Sequence, residues 1–288
     1  MSPCRGMIWQ TTRFDLDLTR PRVMGIVNLT PDSFSDGGRL ARLEDALAHA
    51  RQLLEEGADI LDVGGESTRP GAASVSAEEE WQRLHPFLSE AIRWQVPLSV
   101  DTRRTVVMER ALDLGVDIIN DIHALQDTGA ESLLAAHGRA GICLMHMQGE
   151  PGTMQQQPMA ADAHDKVLAF LKERAAALLD LGVDARRMVL DPGIGFGKSV
   201  ALNFELLART SELCCLGYPV LAGWSRKSSL AAVTSRAGEV PAPEERLAAS
   251  LAAAVLSVER GARVVRVHDV RETVQALQVW QAMSQGPA

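Results

Sequence analysis

The chain has 288 residues, 46% of them hydrophobic, and a formal net charge of −8. That apolar share supplies a large core and excludes a disordered chain. The acidic balance argues against a general nucleic-acid or membrane-surface role while leaving room for a locally basic pocket. No apolar run approaches the roughly 20 residues that span a bilayer, and the N-terminus Met1-Ser-Pro-Cys-Arg lacks the apolar region of a signal peptide. Cys4, Cys143, Cys214 and Cys215 form neither a zinc knuckle nor a CxxC pair, so idle thiols in a reduced cytoplasm are expected.

Two short extended patterns open the chain, Met7-Ile-Trp9 and the alternating Phe14-Asp-Leu-Asp-Leu18. They predict a small hairpin within 1–20 that covers the bottom of the main fold. Short apolar runs then alternate with amphipathic helices. Strand 23–27 precedes a helix over 43–56 that ends at Gly57, and strand 60–63 leads through Gly64-Gly-Glu-Ser-Thr-Arg-Pro-Gly71 to a helix over 77–94. Strand 98–100, helix 105–114 and strand 117–119 come next. The second half keeps the rhythm, with strands at 141–145, 188–190, 219–222 and 263–267 and helices at 130–137, 162–181, 203–210, 244–259 and 270–283.

Each strand is a β-branched or Leu-rich run, as a parallel sheet covered on both faces requires. A doubly wound sheet would also alternate. Eight near-equal units without a linker instead predict one α/β domain over 1–288, a single (β/α)8 TIM barrel over 21–288 behind the N-terminal β-hairpin.

The functional signal lies at the carboxyl ends of the strands. These ends present Asn28, Gly64-Gly-Glu66, Asp101, Asn120, His146, Asp191, Gly223 with Ser225 and Lys227, and Arg266 with His268. In a barrel they meet at one mouth, where the active sites of this fold lie. Singly each has a bland reading: Asp101 as a helix cap, Asn120 as a turn acceptor, Asp191 before Pro192 as a turn initiator, His146 as a hydrogen-bonded core histidine. Together they form a constellation that chance does not supply.

Asp101, Asn120 and Asp191 suit a flat polar heterocycle bearing amino and lactam N–H groups, because a buried carboxylate needs donors. Ser225-Arg-Lys227, Arg266 and His268 make a cationic group after the last two barrel strands, the usual phosphate site of the fold. The loop Asn28-Leu-Thr-Pro-Asp-Ser-Phe-Ser-Asp-Gly-Gly38 carries more acceptors than a turn needs, one ring and a glycine pair, which fits a ligand-gripping lid. Asp191-Pro-Gly-Ile-Gly-Phe-Gly-Lys198 matches neither a Walker A loop nor the dinucleotide fingerprint. It reads as close backbone approach to a ligand, with Phe196 as a wall.

These stretches, with Met24-Gly-Ile-Val-Asn28, Asp62-Val-Gly-Gly-Glu-Ser-Thr-Arg-Pro-Gly71, Ile118-Ile-Asn-Asp-Ile122, Leu144-Met-His-Met-Gln148 and Arg266-Val-His-Asp269, closely resemble the bacterial dihydropteroate synthases. The resemblance runs from about Met24 to the last helix. It implies a pterin-binding barrel of folate biosynthesis that joins 6-hydroxymethyl-7,8-dihydropterin diphosphate to p-aminobenzoate, giving 7,8-dihydropteroate and pyrophosphate.

By motif, Asp101, Asn120, Met145, Asp191, Gly223 and Lys227 hold the pterin. Phe34, Thr68, Arg69, Pro70, Phe196, Lys227 and Ser228 surround p-aminobenzoate. Asn28, Thr68, Arg69, Arg266 and His268 take the diphosphate, and Asn28 ligates its Mg2+. Asp101, Lys227, Asp36 and Arg69 are then the catalytic set, in a dissociative mechanism without a nucleophilic triad. The resemblance further implies a cytoplasmic homodimer with small-molecule partners only, and sulfonamides as competitors of p-aminobenzoate. Arg103 and His123 depart from the Ser and Arg frequent in the family and are expected at the mouth or on the surface. Two readings compete. A methyltetrahydrofolate:corrinoid methyltransferase would share the three pterin residues but has no use for Arg266 and His268. A non-catalytic pterin-binding paralogue would have lost Phe34, Arg69 or Lys227.

Overall fold

Runs of Val, Ile and Leu that are apolar on both faces are satisfied only by a sheet covered on both sides. The computed structural model describes residues 7–30, 39–67, 71, 74–160, 163–236 and 239–285. A hairpin comes first: β1 (Ile8–Gln10) pairs antiparallel with β2 (Asp15–Asp17). Eight parallel strands come after it, β3 (Arg22–Asn28), β4 (Ile60–Gly64), β5 (Leu98–Asp101), β6 (Ile118–Asp121), β7 (Gly141–Met145), β8 (Met188–Asp191), β9 (Leu221–Ala222) and β10 (Val264–Val267). The helices are α1 (Arg39–Glu55), α2 (Ala77–Ala91), α3 (Thr105–Leu114), α4 (Ala130–His137), α5 (His164–Asp180), α6 (Val200–Ala208), α7 (Thr210–Cys214), α8 (Ser228–Thr234), α9 (Leu247–Glu259) and α10 (Val270–Gln285).

From β3 to β8 each strand pairs with the next, and β10 lies between β9 and β3. A parallel bridge between Leu190 and Val220 brings β8 to β9 and completes the ring. This is the expected (β/α)8 barrel with its N-terminal hairpin.

The helices cover the outside. On α2, Leu84, Phe87, Leu88 and Ala91 are fully buried at helical spacing, each large side chain contributing roughly 1.5–3 kcal/mol of apolar burial. Ser76 caps the same helix by accepting from Glu79 N. Inside the barrel a second cluster gathers Met24, Ile60, Ile118, Cys143, Val189, Leu221 and Val264. Trp9 and Leu18 of the hairpin region enter this cluster from below, fully buried. Trp9 Nε1 donates to Arg187 O at 2.9 Å, so the plug is hydrogen-bonded as well as packed.

Several bounds shift: α1 starts at Arg39 rather than 43, α2 ends at Ala91 rather than 94, β9 starts at Leu221 rather than 219, α9 starts at Leu247 rather than 244, and the short α7 is additional. Helix α6 begins at Val200, capped by Ser199 Oγ, three residues before the sequence-based start at 203. The seven-residue α8 is additional, lying between strand 219–222 and helix 244–259, where no helix is predicted.

Candidate active site

A cavity of about 460 Å3 opens at the carboxyl ends of the barrel strands. Asn28, Asp101, Asn120, Met145, Asp191, Phe196, Gly223, Lys227, Ser228, Arg266 and His268 all line it. The remaining sequence candidates, Phe34, Asp36, Thr68, Arg69 and Pro70, lie outside the described residues.

The cavity floor is organised by a residue that sequence reasoning did not select. Asp62, in the middle of β4, is fully buried. Its Oδ1 accepts from Ser99 Oγ at 2.5 Å, and its Oδ2 accepts from Arg266 Nε at 2.6 Å and Asn120 Nδ2 at 3.2 Å. A carboxylate only accepts, so the Asn120 NH2 group is the one turned to Asp62, and its carbonyl oxygen is left to accept from elsewhere. Arg266 also donates through Nη2 to Asp101 Oδ2 at 2.8 Å. One guanidinium thus bridges two carboxylates. The available signal was an Asp on one strand in register with a Ser on the next, Asp62 beside Ser99.

Burial pushes Asp101 up to about 7; Arg266 pulls it down, while the charges of Asp62, Glu80 and Asp121 add to the rise. Burial also raises Asp191, against the hydrogen bond it accepts from Gly193 N at 2.6 Å. These carboxylates are short of donors, which is the state a donor-bearing ligand relieves. Lys227 lies 4.1 Å from the centroid of the Phe196 ring. Burial, then Arg266, lowers its ammonium to about 8.

His268 departs from the cationic role read in the sequence. Burial, then Arg266, depresses it to about 3, so it is neutral near pH 7. Ser225 Oγ accepts from His268 N at 3.1 Å and pairs with His268 Nδ1 at 2.9 Å. With Ser225 donating to Nδ1, the ring proton sits on Nε2. The residue therefore offers a neutral N–H donor.

Ile194, Gly195 and Phe196 of the glycine-rich loop line the cavity. At Gly193 and Gly197 the close backbone approach is to the protein's own chain. A Cβ on Gly193 would stand 1.9 Å from His146 O, and one on Gly197 2.2 Å from Gln148 O. Lys198, 3% exposed, clamps the loop by donating to Gly193 O at 2.9 Å, His146 O at 3.0 Å and Phe196 O at 3.1 Å. Phe196 remains a wall of the cavity, as expected. His146 is a buried core residue set edge-on to Phe170 at 5.0 Å, although its Nδ1 finds no partner among the described residues. Arg103 and His123 line a separate cavity beside the mouth, where Arg103 pairs with Glu150 at 2.9 Å.

Comparison with known proteins accords with this geometry. Residues 24–268 match the model of a family described as pterin binding enzyme. The chain is 53% identical over 281 residues to a dihydropteroate synthase of Neisseria meningitidis serogroup B, covering 96% of this chain and 97% of the relative. A Xanthomonas albilineans dihydropteroate synthase solved with 4-aminobenzoic acid superposes with a TM-score of 0.87 at 48% identity, over 100% of both chains. A Burkholderia cenocepacia dihydropteroate synthase complexed with 7,8-dihydropteroate gives 0.86 at 46% identity, over 96% of each.

Proposed function

The chain belongs to the dihydropteroate synthases of the pterin-binding enzyme family, and on that premise we propose how its mouth residues divide the work. The enzyme forms 7,8-dihydropteroate from 6-hydroxymethyl-7,8-dihydropterin diphosphate and p-aminobenzoate, in folate biosynthesis. The observation that carries the division is the bridge from Asp62 through Arg266 to Asp101, with Asn120 oriented by the same Asp62. It presents a row of acceptors beside a committed cation.

The pterin lies across Asp101, Asn120 and Asp191, whose acceptors meet its amino and lactam N–H groups. Met145 packs on the ring, and Gly223 leaves room, since a Cβ there would stand 4.0 Å from Asp191 Oδ2. Lys227 donates to the same ring. The diphosphate lies toward Asn28, Arg266 and His268, with Thr68 and Arg69, which follow β4 in the chain. As the bond between the pterin methylene carbon and the diphosphate oxygen breaks, its electron pair leaves with pyrophosphate. The Arg266 guanidinium and the His268 Nε2–H meet that charge in a site that needs no reorganisation. Asp101 stabilises the cation left on the pterin methylene. The aniline nitrogen of p-aminobenzoate then forms the C–N bond and gives up a proton. Phe196, Lys227 and Ser228, with Phe34 and Pro70, hold this second substrate, and Asp36 and Arg69 complete the catalytic set.

The donor set suits Mg2+ accompanying the diphosphate. Asn28 Oδ1 and Asp101 Oδ2 converge above Gly64, 3.9 Å and 4.0 Å from the point a Cβ would take there. No group of three His, Cys, Asp or Glu side chains that could hold a metal occurs among the described residues. One amide oxygen suffices for an ion that keeps most of its waters and shares substrate oxygens. When bound, the ion withdraws charge from the departing diphosphate.

We further propose a homodimer through the helical stretch 247–258, where Leu256 is 43% exposed; Val279 and Met283 of α10 (73% and 65%) are further exposed apolar side chains. No helix among the described residues is long and apolar enough to cross a membrane, and the thiols of Cys143, Cys214 and Cys215 are free; a reduced cytoplasmic location suits both.

Incubating the purified chain with the pterin diphosphate, p-aminobenzoate and Mg2+ releases pyrophosphate in step with dihydropteroate. Release no faster than without protein would sink the reading.

A further inference from the structure

Asn203 sits in the second turn of α6, outside the lining of the cavity, and is 1% exposed. Asparagine is a weak helix former, and a buried carboxamide must find partners for both its ends. Here both ends leave the helix. Its Oδ1 accepts from Gly195 N at 2.9 Å. Its Nδ2 donates to Ser229 Oγ at 2.8 Å and to Lys198 O at 3.4 Å. Gly195 is the chain neighbour of Phe196, and Ser229 is the chain neighbour of Ser228. One amide therefore ties the loop after β8 to the first turn of α8.

The loop needs such a tie. Gly193, Gly195 and Gly197 all hold positive φ, at 68°, 83° and 64°, and glycines have many cheap alternatives to any one conformation. Lys198 secures the loop toward β7 through His146 O. The Gln155 side chain secures it through Gly195 O at 2.8 Å. Neither reaches α8. Across the seam that Asn203 closes, the Lys227 ammonium stands 4.1 Å from the Phe196 ring centroid. The Lys227 stem runs so near Gly195 that a Cβ there would meet Lys227 Cδ at 3.1 Å. The acceptors proposed for the pterin are held by other bonds: Asn120 by Asp62, and Asp191 by Gly193 N.

We infer that Asn203 is a positioning residue for the second substrate: its carboxamide sets the Phe196 ring against the Lys227–Ser228 segment, and so governs affinity for the planar aminoaryl carboxylate more than for the pterin, of whose proposed side-chain contacts only Lys227 lies on that seam. The inference rests on the p-aminobenzoate pocket proposed above.

Steady-state kinetics with each substrate varied in turn test it, using Asn203→Leu, which removes both arms, and Ser229→Ala, which removes only the link to α8. The KM for p-aminobenzoate rises roughly tenfold in Asn203→Leu, a fraction of the ~10²-fold that a 1 Å misplacement can cost. Ser229→Ala raises it by a smaller factor, and the KM for the pterin diphosphate moves far less in both. Parallel rises in both KM values would mark general loosening and overturn the inference, as would an unchanged p-aminobenzoate KM. If Asn203→Leu does not fold, Ser229→Ala decides by the same criteria. Phe196→Leu separates the two levels. If it leaves the p-aminobenzoate KM unchanged, the pocket itself is misassigned and the inference falls with it. If it raises that KM while Asn203→Leu and Ser229→Ala do not, only the inference falls.

Discussion

Replacing Asp62 by Asn removes a charge without changing the shape of the side chain. The wild-type carboxylate takes bonds from Ser99 Oγ, Arg266 Nε and Asn120 Nδ2 at 2.5, 2.6 and 3.2 Å. The new amide can turn its NH2 to Ser99, whose hydroxyl rotates to accept, and keep its oxygen for Arg266 and Asn120. What is lost is the ionic character of the Arg266 bond. A hydrogen bond to a charged group contributes about 1.5–3 kcal/mol against about 1 for a neutral one, so the exchange costs ~0.5–2 kcal/mol. For a chain of this size Tm falls by roughly 1–3 °C. The kinetic signature is more telling. Asp62 helps raise Asp101 to about 7, while Arg266 opposes the rise. In the variant Asp101 loses a like-charged neighbour and gains a larger share of Arg266, and both changes lower its pKa. Wild-type Asp101 gives up its charge as pH falls through about 7, whereas the variant keeps it to lower pH. Pyrophosphate release is measured from about pH 5 to pH 9, because the acid limb of kcat/KM reports groups of the free enzyme. That limb moves to lower pH in Asp62→Asn. A limb that stays in place or moves up would refute the coupling of the two carboxylates.

On the alkaline side, kcat/KM falls as pH rises through about 8, where buried Lys227 loses its proton. Lys227→Ala lowers turnover sharply without unfolding the chain, and retained turnover would remove Lys227 from the mechanism. Stability runs the other way. The folded pKa of Lys227 lies below its ordinary 10.5, so the unfolded chain binds more protons between about 8 and 10.5, and denaturation midpoints carry a contribution from this group that rises with pH across that window. Trp9→Ala empties the plug under the barrel and costs about 3–5 kcal/mol, seen as a lower guanidinium midpoint, while kcat and KM of the folded fraction stay at wild-type values. Lost activity at undiminished stability would mean that the hairpin reaches the site.

The strand ends are legible because parallel strands advertise themselves as apolar runs, and the polar residue that ends each run falls at the mouth by topology alone. Asp101, Asn120 and Asp191 can be chosen this way. Asp62 cannot, since it stands inside Ile60-Leu-Asp-Val63 and looks like an interruption of a strand. Its meaning comes from Arg266, 204 positions later in the chain. Asn203 misleads for a related reason. As a residue type favoured at helix starts it suggests the start of α6, whereas Ser199 takes that cap and the asparagine points inward. The charge of His268 is overestimated from sequence because burial beside a guanidinium is a property of the folded site. In each case local composition points to the right element, and long-range proximity decides what the side chain does there.

The plug beneath the barrel also bears on how the chain reaches its fold. Trp9 bonds to a carbonyl 178 positions downstream, so the hairpin is made well before the partner that completes its seat. At ~5–20 residues per second the wait is on the order of ten to forty seconds. The ring cannot close before then either, because β3 needs β10, which is made later still. Through this interval the apolar face of the hairpin, Trp9 with Leu16 and Leu18, lacks part of its native cover, since Val189, Leu221 and Val264 of the same cluster are made later. Apolar surface left partly uncovered in this way is where premature association can start before the barrel closes.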